Sequence, residues 1–82
     1  MTVRWSDEGG IHLEGVCPIE DAEPLLQLVL ADPGATVDWS SCELAHSAIV
    51  QVLLASRARL IGSPKGAFLR DYVALALAHA RA

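Results

Sequence analysis

Between residues 36 and 54 the chain changes its periodicity, and this constrains its possible folds more than any other feature. Thr36-Val37-Asp38-Trp39 is short and β-prone, Ser40 and Ser41 interrupt it, and Leu44, Ala45, Ala48, Ile49, Val52 and Leu53 then recur at spacings of three and four. A strand, a polar corner and a buried helix follow from that order. Such a unit needs a sheet for the strand and a face on which the helix can bury its stripe. At the start of the helix Ser40-Ser41-Cys42-Glu43 fits a capping box, with the Ser40 hydroxyl on the Glu43 backbone and Glu43, Ser47 and Gln51 as a polar stripe at i, i+4 and i+8.

The rest of the chain supplies the other layers. Thr2-Val3-Arg4-Trp5 alternates polar with apolar, Ser6-Asp7-Glu8-Gly9-Gly10 gathers turn formers, and Ile11-His12-Leu13-Glu14 alternates again before Gly15. This reads as a β-hairpin ending at Gly15, with Val3 and Trp5 on one face. From Glu20 to Leu30, Ala22, Leu25, Leu26, Val29 and Leu30 mark a helix face, and Pro24 is tolerated near its start, where few N–H groups have intrahelical partners. Asp32-Pro33-Gly34 stops that helix. Arg59-Leu60-Ile61-Gly62 is a short fourth strand, and Ser63-Pro64 opens a last helix that buries Phe68, Leu69, Tyr72, Val73 and Ala76. The expected fold class is α/β, a mixed four-stranded sheet in the order β-β-α-β-α-β-α with helices packed on it. With right-handed crossovers the later strands run parallel. Loops 15 to 18, 40 to 46 and 62 to 65 then gather at one rim, where such sheets place functional sites.

Bulk properties narrow the function. The 82 residues, of which 52% are apolar, suit one domain with a single core. A formal net charge of −4 with six scattered Lys and Arg leaves nothing to neutralise a row of phosphates or an anionic bilayer, so neither nucleic acid nor membrane is an expected partner. No secretion signal and no spanning segment are read from the sequence, and a cytoplasmic location is expected. Cys17 and Cys42 are too few and too far apart in sequence for a disulfide framework and read as reduced, buried thiols.

The stretch from Val37 to Leu54 resembles the central motif of STAS domains, small modules named after sulfate transporters and anti-sigma factor antagonists. Val37, Asp38 and Ser40 match the strand end of that motif, and Leu53 and Leu54 match its helix. Ser47 falls on the serine that antagonist members use as phosphoacceptor, and the resemblance would start the helix near it rather than at the capping box. His46 stands where the motif has Asp, Ala48 replaces its second Ser, and Ile49 replaces its Gly. The resemblance covers nearly the whole chain but only part of the family's usual length, since a fifth strand and closing helix are not read. It implies a non-catalytic module without cofactor that docks on another protein, an anti-sigma factor, a switch kinase or a transporter ATPase. Ser40, Ser41, Glu43, His46, Ser47 and Gln51 are the expected docking residues, with Ser47 as candidate phosphoacceptor.

Other constellations carry less chemistry. His46 beside Ser47 suggests base and nucleophile, yet neighbours on a helix point about 100° apart and no acid is placed to orient the imidazole. Cys42 and His46, at i and i+4 on a helix, with Cys17 along the rim, make an incomplete ligand set, so no bound metal is expected and a Cys/His metal-binding or enzymatic module is the rival reading. Gly62-Ser63-Pro64-Lys65-Gly66 could present N–H groups to an anion but has no P-loop spacing, and helix capping accounts for it. His12 and His79 have no evident partners and read as surface or boundary residues.

Overall fold

The computed structural model describes residues 2–6 and 9–81, with the backbone alone for residues 79–81. Asp7 and Glu8 of the first turn, the side chain of His79 and the last residue of the Ala-rich tail lie outside the described residues. Strands β1 (Val3–Trp5), β2 (Ile11–Cys17), β3 (Thr36–Ala45) and β4 (Arg59–Ile61) form one sheet in the order β1-β2-β3-β4. The first pair is antiparallel and the other two are parallel, which is the mixed α/β sheet that the periodicities predict. Helices α1 (Ala22–Ala31) and α2 (Ser47–Ser56) pack on each other, α1 also touching β1 and α2 touching β3. Helix α3 (Ala74–Arg81) follows a π-helical turn at Leu69–Val73 that rests on β3. Among the described residues, no helix is long and apolar enough to cross a membrane.

One hydrophobic cluster joins these layers. Ile11, Leu13, Val37, Trp39 and Cys42 come from the sheet, Leu25 and Val29 from α1, Ile49 and Leu53 from α2, and Leu69 and Leu77 from the last helical segment. Each buried Leu or Ile removed from water contributes roughly 1.5–3 kcal/mol. A carboxylate anchors the edge of this core: Asp21, just ahead of α1, accepts hydrogen bonds from the Thr2 backbone N–H (3.1 Å) and the Thr2 hydroxyl. Those bonds, the hydroxyl's first, hold the Asp21 carboxyl below its ordinary value, against a smaller opposing effect of desolvation. They also tie the start of β1 to the start of α1.

The middle of the sheet departs from the simple alternation. Strand β2 does not end at Gly15 but runs through it to Cys17, because Gly15 adopts a positive φ of 67° that a residue with a Cβ rarely takes. Strand β3 is longer still. Opposite β2 its register slips by one residue between Asp38 and Ser41 and by another between Cys42 and Leu44, so it carries two β-bulges. Each bulge turns two consecutive residues outward: Ser40 with Ser41, and Glu43 with Leu44. Between them Cys42 points into the core. The capping box at Ser40 and the Glu43-Ser47-Gln51 helical stripe are therefore not formed, since Glu43 lies on a strand.

The last helical segment corrects a second expectation. Ser63 and Pro64 precede the helix without capping it, and helical winding begins only at residue 67. In an α-helix, positions four apart drift by about 40°. The wider π turn absorbs that drift and keeps Leu69, Val73 and Leu77 on one face toward the core. Phe68 and Tyr72 are thereby rotated outward, 64% and 67% exposed, with ring centroids 5.6 Å apart, and Ala76 is exposed as well. Trp39 is buried as a strand residue should be, whereas Trp5, on the edge strand, is half exposed and lines a groove against Pro24, Leu28 and Ala31 of α1.

Candidate functional site

The site is built where the C-terminal ends of the parallel strands meet. Cys17, the last residue of β2, stands opposite Ala45, the last of β3, and the His46 N–H continues the ladder by donating to the Cys17 carbonyl (2.9 Å). The segment after β4 folds back onto the same place. Lys65 and Gly66 both donate their N–H groups to the carbonyl of Cys42, at 3.0 and 3.3 Å. This closes the anion reading of residues 62 to 66, because two of the N–H groups it needs are already engaged. The rim expected from the topology is present, but residues 40 to 45, expected as loop, belong to the strand.

At the first bulge, Asp38 holds Ser40. Its Oδ1 accepts from the Ser40 N–H (2.9 Å) and from the Ser40 hydroxyl (2.7 Å), and these bonds keep the Asp38 carboxyl below its usual range. The hydroxyl that the capping-box reading assigned to Glu43 is committed there. Below it, the Trp39 indole Nε1–H donates to the Gly62 carbonyl (3.1 Å), pinning the turn after β4 to the bulged strand. At the second bulge Leu44 pairs with Val16 of β2. Both side chains face solvent, 57% and 61% exposed, an apolar pair on the outer face of the sheet. The sequence signal for them was hidden, because Leu44 fits the helical pattern that continues beyond it.

Helix α2 begins at Ser47, where the resemblance starts it, and the residue that caps it is His46. The imidazole Nδ1 accepts from the Ala48 N–H at 3.0 Å, while the His46 carbonyl takes the N–H groups of Ile49 and Val50. An acceptor side chain on the second N–H of the helix is what an N-cap residue provides, and Asp is among the residues best suited to it. His46 therefore performs the capping that an Asp in the motif position would perform. Replacing His46 with Ala should lower stability by on the order of 1 kcal/mol, and His46→Asp should match or exceed the wild type, because a carboxylate also suits the positive end of the helix. Urea denaturation followed by circular dichroism reads both; equal midpoints for wild type and His46→Ala would show that the cap carries no stability.

Ser47 occupies the first helical position and is exposed, as are Ser40, Ser41, Glu43 and His46. Gln51, one turn along the same face of α2, lines a groove of about 380 Å³ between α1 and α2 with Leu26, Ala48 and Ala55. The six expected docking residues thus form one tract, five along the strand end and cap and the sixth on the helix beyond. They do not form the catalytic or metal arrangements weighed beside them. His46 directs Nδ1 to Ala48 rather than to Ser47, and Cys42 lies inside the sheet while His46 is outside, so the two do not share a helix face. Among the described residues no group of three or more His, Cys, Asp or Glu side chains is placed to hold a metal ion. Cys17 and Cys42 do meet: both are buried and free, with sulfurs 3.8 Å apart, a contact that their separation in sequence concealed.

Comparison with family profiles, with curated proteins and with solved structures found no match to this chain. The likeness to STAS domains accordingly rests on the residues from Val37 to Leu54 and on the order of the elements.

Proposed function

We propose that this chain is a non-catalytic docking module of a regulatory system, STAS-like in organisation, which binds an anti-sigma factor or switch kinase in the cytoplasm and is switched by phosphorylation of Ser47. The observation that carries the reading is the exposed tract of Ser40, Ser41, Glu43, Leu44, His46 and Ser47, interrupted by the inward Cys42 and the half-buried Ala45, which runs off a twice-bulged strand into a helix start. Bulges re-aim side chains at the ends of sheets, and here they turn four of those residues outward. A tract with serines, one carboxylate and the Val16–Leu44 apolar pair suits a protein surface better than a small ligand, since it is not enclosed. Phosphate on Ser47 would sit at the positive end of α2 without cost to the helix, yet would place new charge in the middle of the docking surface.

Two substitutions test this. Ser47→Asp should leave folding almost unchanged, within about 0.5 kcal/mol, because the site is exposed and a helix start favours a carboxylate. Binding should respond far more, by several kcal/mol, where an unpaired charge is desolvated at a packed contact. Wild type and Ser47→Ala should therefore retain the same partner from a column while Ser47→Asp loses it, and calorimetry with that purified partner should give the ratio. Equal affinity for all three would take Ser47 out of the interface. Docking on a transporter ATPase, which needs no phosphorylation, would then be the form of the reading left standing.

A further inference from the structure

Two buried thiols meet in this sheet. Cys17 closes β2, Cys42 lies between the two bulges of β3, and their sulfurs are 3.8 Å apart with both side chains almost wholly out of solvent. We propose that Cys17 and Cys42 form a dithiol–disulfide pair, a redox modification site closed by peroxide within a single chain. This does not depend on the docking reading.

The geometry favours closure. A disulfide needs sulfurs at about 2.05 Å, so they must approach by somewhat less than 2 Å. Cys42 is placed where this is easiest, because the register on either side of it is already broken and the strand can shift there without losing a regular ladder. The two sulfurs also differ in environment. Cys42 faces Cys17, with the Leu44 carbonyl (3.5 Å) as the alternative acceptor for its single S–H, and it is pushed well up, first by its hydrogen bond to Cys17 and then by burial. Cys17 is lowered to about 7, chiefly by the hydrogen bond it shares with Cys42, with burial opposing. Cys17 ends its strand whereas Cys42 lies inside one, so a local opening at the rim exposes Cys17 first, and Cys17 is the sulfur that attacks while Cys42 resolves.

The steps balance with hydrogen peroxide as the named oxidant. The Cys17 thiolate displaces hydroxide from peroxide and becomes a sulfenic acid; Cys42 sulfur then attacks the Cys17 sulfur, the S–O bond breaks, and water leaves with the Cys42 proton. Overall two thiols and one peroxide give one disulfide and two waters. A dithiol reductant reverses it.

The test uses the full chain, reduced, freed of reductant and treated with one equivalent of hydrogen peroxide at neutral pH. Intact mass after denaturation in an alkylating agent should show loss of both free thiols and of two hydrogens per chain. The product should stay monomeric on a non-reducing gel and should be restored by dithiol. In Cys42→Ser the same treatment should leave a Cys17 sulfenic acid that a dimedone probe captures, whereas Cys17→Ser should leave Cys42 unmodified. Two unreacted thiols in a chain that circular dichroism shows to be folded would overturn the proposal. So would disulfides formed only between chains, or oxidation to sulfinic acid without pairing.

Discussion

Gly66→Ala is expected to cost about 3 kcal/mol or more, enough to leave a domain of this size partly unfolded at room temperature. A Cβ on Gly66 would overlap the carbonyl oxygen of Glu43 and lie 2.8 Å from its carbon, and both are backbone atoms that cannot rotate away. The approach is enforced from both sides. The Lys65 and Gly66 N–H groups are bonded to the Cys42 carbonyl, and Glu43 is the extra residue of the second bulge, so relieving the overlap means breaking either the turn or the bulge. Thermal and urea denaturation of Gly66→Ala, with Gly34→Ala as control on the surface turn after α1, would measure the difference. A midpoint for Gly66→Ala equal to that of the wild type would mean that the segment after β4 does not lie on β3.

Trp39→Ala should cost about 3–5 kcal/mol, the range for emptying an aromatic side chain from a core. Trp39 is 3% exposed, stands on the inner face just ahead of the first bulge's outward pair, and is bonded through its indole N–H to the Gly62 carbonyl. Truncation removes the largest side chain of the core cluster and leaves that carbonyl without its donor. Trp39→Phe keeps most of the volume and should cost less, while Trp5→Phe should cost little, since Trp5 is on the edge strand and half exposed. The two indoles also separate by fluorescence: Trp39 should resist quenching by iodide and Trp5 should not. If Trp39→Ala and Trp5→Ala were equally mild, the packing of β3 against the helices would be wrong.

The parts of this fold that could be read from the sequence are those in which one local rule acts alone. Leu25 and Val29 of the face read for α1 are buried, although Leu26 and Leu30 of the same reading are exposed, Arg59–Ile61 reads as a strand from composition, and the hairpin follows from Ser6 and the two glycines. Where rules compete, the reading failed. Ser40-Ser41 and Glu43-Leu44 break a two-residue alternation, which locally looks like the end of a strand; the pairing with β2 and the bonds from residues 65 and 66 override it. The same break fed Leu44 and Ala45 into an apparent helical stripe, although an acceptor at His46 gives α2 its start. Phe68 and Tyr72 fit a helix face in an ideal winding, and only the π turn turns them outward. The six expected docking residues are all exposed, which is compatible with the docking proposed for them, but the bulged strand and histidine cap that carry them could not be read. The strand order placed Cys17 near Cys42 along the rim, but their direct contact in the core could not be read, since it depends on a register set by bulges.

The docking surface itself is tested most directly by amide hydrogen exchange on the chain alone and in complex with the protein it retains. The proposed docking places the contact at residues 40 to 51. Exchange should slow across the exposed end of β3 and the first turns of α2 on binding, and it should not change along the outward face that carries Phe68, Tyr72 and Leu75, whose exposed aromatic stripe is the competing surface. Slowing confined to that stripe, with residues 40 to 51 exchanging as in the free chain, would contradict the account.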